Sequence, residues 1–338
     1  MKINNFKIDK KSKTFIIAEI GINHGGRFKN CIKLIKAAKN AGADSVKLQI
    51  IDPEASYEIK TKSYKEFSRA RLKENELLKL KNFCDKNKII FFVTPGDIKS
   101  LQIVSKLNLK VIKISSGLIT NLPLIEEASK LNLPIILSTG MALKNEIKLA
   151  IKSAKLFNKK GVAVLKCTSV YPAKPKLLNL NAIVEYKKYF NVPIGYSDHS
   201  LGLEACIIAV SIGAKIIEKH ITLNKNLKGA DHRLSLEPNE FKKMVDLIRQ
   251  TETMLGSKDI RPTAEEIKLR KKYHRYLVAN YNMKKGEKVN LEKIGIKRLF
   301  KYKNGALQPK YLKKIIGKKI AITVKKNDPI TRDTVKKK

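Results

Sequence analysis

An α/β fold is predicted for this chain: a (β/α)8 (TIM) barrel of roughly 250 residues, followed by a small β-rich module. Three observations carry the prediction. Eight short apolar runs recur along the sequence up to His220, each leads into polar, chemistry-bearing residues, and each is followed by a stretch of helical periodicity. In a parallel barrel all C-terminal strand ends meet on one face, so the polar ends build one pocket there.

The runs fall in order. Phe15–Ala18 leads to Glu19, Asn23 and His24. Ser45–Leu48 carries Lys47 and leads to Gln49, and Ile89–Val93 leads to Thr94. Val111–Ile114 carries Lys113 and leads to Ser115 and Ser116. Ile135–Leu137 leads to Ser138 and Thr139, and Val162–Leu165 to Thr168 and Ser169. Pro193–Tyr196 leads to Ser197, Asp198 and His199, and Lys215–Ile217 to Lys219 and His220. Helices are predicted over 28–41, 74–86, 98–107, 123–131, 144–157, 180–189, 202–213 and 238–255. The last has a good start, because Pro238 suits the first helical position. The connection 53–67 is longer than a usual βα loop and is expected to cover the pocket. The barrel is placed at 1–258, a linker at 259–275 and the second module at 276–338. In the module, 276–279, 319–324 and 330–334 read as strands, with turns at 283–287 and 327–329.

Composition excludes several classes. The net charge of +41 invites a nucleic-acid reading. Lysine far outnumbers arginine, however, and is spread over every segment, so a nucleic-acid partner is set aside and the charge is expected to assist capture of an anionic substrate. No apolar run approaches a membrane span, and the N-terminus lacks the apolar stretch of a secretory signal. Cys31, Cys84, Cys167 and Cys206 are scattered without paired spacing and read as reduced thiols of a cytoplasmic protein. No dinucleotide fingerprint, Walker loop, GxSxG or HExxH occurs, which argues against redox-cofactor and hydrolase chemistry.

Two constellations carry chemistry. His199 and His220 end adjacent strands about 4.8 Å apart, so both imidazoles can reach one divalent ion, with Glu19 close enough to add an oxygen. Lys113 with Ser115-Ser116-Gly117, and Ser138-Thr139-Gly140, form two turns offering hydroxyls, amides and a point charge to an anion, and Lys47 and Thr94 face the same space. Asp231 can hold substrate hydroxyls or merely cap a solvated turn, and Tyr171 can be a pocket wall or part of a turn.

At this point AEIGINHGG, KLQ, KISSG, LSTGM, KCTSVYPA, GYSDHS, EKHITL and DHRLSLEP resemble, in order, the motifs of the sialic acid synthase family. The C-terminal module, with LVANYNMKKGE and IKR, resembles that family's antifreeze-like (SAF, β-clip) domain. The resemblance implies condensation of phosphoenolpyruvate with N-acetylmannosamine or a close hexose, giving a nine-carbon 2-keto acid and phosphate. It implies that His199 and His220 hold the metal, often Mn²⁺ (Mg²⁺ or Co²⁺ being alternatives). Lys47, Thr94, Lys113, Ser116, Ser138, Ser169 and Ser197 would bind phosphoenolpyruvate. Glu19, Gln49, Tyr171 and Asp231 would contact the sugar, Glu19 also serving catalysis near the metal. Arg298 would reach the sugar from the partner protomer of a domain-swapped homodimer. Legionaminate or pseudaminate synthesis, and a non-catalytic sugar- or polyanion-binding protein, stay open. The chain departs from the family at Leu118, where an acidic residue is usual, and at Arg298-Leu299-Phe300, where Arg-Pro-Gly is usual.

Overall fold

The computed structural model describes residues 1–335. The chain divides into two compact units, Met1–Gly256 and Ser257–Lys338.

The first unit is a closed barrel of eight parallel strands. We number them β1 (Phe15–Gly21), β2 (Ser45–Ile50), β3 (Ile90–Pro95), β4 (Ile112–Ile114), β5 (Ile135–Ser138), β6 (Val162–Cys167), β7 (Ile194–Asp198) and β8 (Ile216–His220). Each pairs with the next in sequence, and β8 closes on β1 with His220 opposite Glu19. Several strands run further than the apolar runs that announce them. β1 passes Glu19, β6 reaches Cys167, β7 reaches Asp198 and β8 reaches His220. Glu19 and Asp198 lie within the ladder because they find ionic and hydrogen-bonding partners there, so their burial is compensated.

Helices surround the barrel and present a stripe of apolar residues to it. In α1 (Phe28–Asn40) the stripe is Cys31, Leu34, Ile35 and Ala38. The last barrel helix, Pro238–Leu255, repeats the spacing with Phe241, Met244, Val245 and Ile248. This i, i+3, i+4, i+7 pattern covers one face of a helix. The long connection after β2 folds into α2 (Pro53–Ser56) and α3 (Lys62–Ala70). Gly26 seats it: a Cβ there would stand 2.3 Å from the Arg69 carbonyl oxygen. A short N-terminal hairpin, Lys2–Ile3 with Phe6–Lys7, has no signal in the sequence pattern. It buries Ile3 and sets Phe6 edge-on to Phe15 at 5.0 Å.

The second unit begins with a difference from expectation. Most of the expected linker is helix, Ala264–Tyr273, with a reciprocal cap between Thr263 and Glu266. It buries no side chain, so only its cap and charges marked it. The strand Tyr276–Ala279 pairs antiparallel with Ile294–Lys297, which the sequence reading missed. The strands expected at 319–324 and 330–334 are isolated bridges, such as Met283 to Val324 and Ala306 to Thr331. Closely spaced turns, with Gly286, Gly317 and Asn327 at positive φ, keep any ladder short. A separate core of Leu277, Met283, Val289, Ile320 and Ile330 holds the unit together. Among the described residues no helix is long and apolar enough to cross a membrane.

Candidate active site

The C-terminal mouth of the barrel collects nearly all the expected residues. Inside it Lys47 pairs with Glu19 and donates to Thr94 Oγ1 at 3.1 Å. Lys113 donates to Ser138 Oγ at 2.6 Å. Ser197 donates to Glu218 Oε1 at 2.8 Å. Glu218 also faces both lysines, at 3.7 Å from Lys47 Nζ and 3.4 Å from Lys113 Nζ. The sequence reading passed over Glu218. Its signal was period two, since it lies two residues before His220 and shares its face of β8.

These four charges alternate along the chain of contacts, and all are buried. Burial pushes the Glu19 carboxyl up to about 7, against the pull of Lys47. Burial also acts on Glu218, but Lys113, Lys47 and the Ser197 hydroxyl outweigh it and hold the carboxyl down at about 2. Lys113 is shifted downward by burial and only partly restored by Glu218.

Beside this chain lie two serine turns. The Gly140 amide donates to Ser116 Oγ at 3.0 Å, and Ser169 Oγ is buried with no hydrogen-bond partner. A Cβ on Gly140 would lie 2.0 Å from Ser169 Oγ and 2.8 Å from Ser116 Oγ. Only glycine leaves those hydroxyls free to converge. An unpaired buried hydroxyl costs on the order of 1–3 kcal/mol, which an arriving acceptor would recover. Leu118 packs against the hydrophobic core and presents no charge.

The two histidines are neighbours, with ring centroids 5.4 Å apart. His199 Nδ1 donates to the Thr168 carbonyl at 3.0 Å, which leaves the lone pair on Nε2. Tyr171 lies against the same ring at 4.2 Å. His220 Nδ1 is buried without a hydrogen bond, 3.8 Å from Asp231 Oδ2. Burial and the neighbouring His199 push His220 well below the usual histidine range, so it stands neutral. Gln49 donates to Glu19 Oε1 at 3.4 Å. Gly21, at φ +54°, opens the space between these groups: a Cβ there would be 3.2 Å from Glu19 Oε1 and 3.5 Å from both Asp231 Oδ2 and His220 Cε1. Among the described residues no set of three His, Cys, Asp or Glu side chains forms a complete metal site. The donors present still fit an ion held by two neutral imidazoles, because one ring is already oriented and the other carries an orphaned nitrogen. Remaining positions would fall to water or substrate oxygens. Arg298 stands in the second unit, its guanidinium 4.7 Å over the Tyr273 ring.

This fold and mouth define a barrel enzyme class with a C-terminal β module. Residues 34–260 match the NeuB family and residues 274–336 match the SAF domain. The chain belongs to the NeuB family, and the resemblance seen in its motifs holds. It is 39% identical over 294 residues to the N,N'-diacetyllegionaminic acid synthase of Campylobacter jejuni, covering 81% of this chain and 87% of that one. It is 32% identical over 335 residues to the N-acetylneuraminate-9-phosphate synthase of Homo sapiens, covering 95% and 92%. A crystal structure of the N-acetylneuraminic acid (sialic acid) synthetase of Leptospira borgpetersenii, in complex with citrate, superposes with a TM-score of 0.76 at 36% identity, covering 80% of this chain and 95% of that one.

Proposed function

We propose that this chain is a phosphoenolpyruvate-dependent nonulosonic acid synthase, joining an N-acylated hexose to phosphoenolpyruvate and releasing phosphate. One observation carries the reading: two buried lysines and two converging serine turns sit beside a pair of buried, neighbouring histidines in one barrel mouth. The lysines, Thr94 and Ser138 suit the carboxylate and phosphate of phosphoenolpyruvate, and Ser116 and Ser169 suit further acceptors. Glu19, Gln49, Tyr171 and Asp231 line the side where the sugar would lie.

The bond changes then balance. C3 of phosphoenolpyruvate bonds to the aldehyde carbon of the open-chain sugar, and the aldehyde oxygen takes a proton. Water adds at C2 and gives one proton to balance the one the aldehyde oxygen takes, and the C2–O bond to phosphate breaks as the C2 hydroxyl becomes the keto carbonyl, its remaining proton leaving with phosphate. Glu19, with its carboxyl pushed up to about 7, is placed to hold one of those protons. A divalent ion, Mn²⁺ first among the choices, held by His199 and His220 would polarise the sugar carbonyl as a Lewis acid. Buried ammoniums preorganised for the anion need no reorganisation as charge shifts toward phosphate. The reading places the protein in the cytoplasm with its substrates.

N-acetylmannosamine is the first sugar to try. A diacetamido-trideoxyhexose is the second, favoured by the greater identity to a legionaminic acid synthase than to the human enzyme. The test is phosphate release from phosphoenolpyruvate with Mn²⁺ across a hexose panel, with and without chelator. Release is expected with one sugar class, abolished by chelator and lowered at least 100-fold by His199→Ala or His220→Ala. Undiminished turnover in both variants would remove the histidines from the chemistry.

A further inference from the structure

We infer that Glu218 is a positioning residue whose carboxylate holds Lys47 and Lys113 apart and aimed at the incoming anion. The inference rests on the reading above, that these lysines bind phosphoenolpyruvate.

A site built from two buried ammoniums has a difficulty before its ligand arrives. Like charges repel strongly where water is excluded, and an unpaired buried charge is costly. Glu218 answers it from the middle of the barrel. It rises from β8, and Lys113 rises from β4, on the opposite side of the ring. The carboxylate nevertheless reaches 3.4 Å from Lys113 Nζ with Oε1 and 3.7 Å from Lys47 Nζ with Oε2. Ser197 fixes its orientation with a 2.8 Å hydrogen bond to Oε1. Oε2 accepts no hydrogen bond, so its interaction with Lys47 is purely ionic. Lys47 has Glu19 on its other side and Lys113 has Ser138. Lys47 also donates to Thr94 and Lys113 to the Ile114 carbonyl, so each ammonium is held by three partners, and Glu218 is the one they share.

The geometry makes a counter-intuitive prediction. Simple electrostatics says that removing a carboxylate from an anion site tightens anion binding. If Glu218 positions the lysines, its removal loosens binding, because two ammoniums lose the anchor that aims them both.

The experiment compares wild type, Glu218→Gln and Glu218→Asp by calorimetric titration with phosphoenolpyruvate, and separately with inorganic phosphate, followed by steady-state phosphate release. Glu218→Gln is expected to weaken binding of both anions at least 10-fold and to raise KM for phosphoenolpyruvate more than KM for sugar. Glu218→Asp is expected to recover part of the loss, since it restores the charge at a shorter reach. A purely structural role would lower stability in both variants without separating the two KM values. Equal or tighter anion binding by a folded Glu218→Gln would overturn the inference. If Glu218→Gln fails to fold, the Asp variant carries the test, and unchanged anion binding there overturns it. Wild type that binds phosphate but not phosphoenolpyruvate would sink the reaction reading alone, and Glu218 would then stand or fall on the phosphate titration. Wild type that binds neither anion overturns both.

Discussion

His24 shows what burial does to a single titratable group. It follows β1, its Nδ1 accepts from the Gly26 amide at 3.1 Å, and its Nε2 is buried without a partner. Burial pushes it down to about 4. The unfolded chain would protonate this ring near pH 6.5, where the folded chain does not. The folded state therefore binds fewer protons, and its stability is fully present above pH 6.5. It declines as pH falls from 6.5 to about 4, by about 3 kcal/mol at most. Urea unfolding between pH 7 and pH 4 should show that slope, and His24→Gln should make it shallower, the remainder coming from buried His220, which is depressed in the same direction. An unchanged slope in the variant would place the protonation elsewhere. His24 sits in a motif singled out from the sequence, but nothing in the sequence showed that its ring is walled off from water. The same limit hid Glu218. Alternation along β8 put it on the inner face with His220, yet its link to a lysine on the far side of the barrel is a three-dimensional fact.

At the scale of elements, β7 and β8 are joined by more than their ladder. Lys219 Nζ donates to Asp198 Oδ2 and to the Ser200 carbonyl, each at 2.6 Å. Asp198 Oδ1 accepts from Tyr196 at 2.9 Å and from the Ser200 hydroxyl at 2.8 Å. The pair is fully buried. It braces the two strand ends that carry His199 and His220, facing away from the mouth. Breaking one partner leaves an uncompensated buried charge, so Lys219→Met or Asp198→Asn should each cost about 3–5 kcal/mol. The double variant should cost less than the sum of the singles, as denaturant midpoints would show. Strict additivity would mean that the two side chains do not act together. Elements were the most legible level in the sequence. All eight barrel strands and their flanking helices follow the apolar periodicity, because parallel strands are covered on both faces and helices on one. The errors fall where that logic lapses. Ala264–Tyr273 has no buried face to announce it, and the bridges at Lys319, Ile320 and Val324 are too short to impose a period.

For the whole molecule, the question is what completes the mouth. Loops after β5 to β8 carry exposed apolar side chains, among them Met141 at 74%, Tyr171 at 52% and Leu201 at 55% exposure. This rim supports the proposal that a second copy covers the mouth and brings its Arg298 to the sugar. Arg298→Ala should then raise KM for the sugar at least 10-fold while changing KM for phosphoenolpyruvate little. Equal losses for both substrates would refute that role, and a monomer at working concentration in analytical ultracentrifugation would refute the dimer. Arg298 was picked out by resemblance alone, since spacing gives no reason to connect an exposed arginine in one unit with a pocket in another.

In the proposed reaction the barrel mouth joins phosphoenolpyruvate to a sugar with cleavage of the C–O bond. The direct measurement is phosphate release from phosphoenolpyruvate carrying ¹⁸O in the bridging position, with Mn²⁺ and the acylated hexoses, read by mass spectrometry. Release that requires a sugar is expected, with all of the label in phosphate. Release without sugar, or label left in the keto acid, would contradict it.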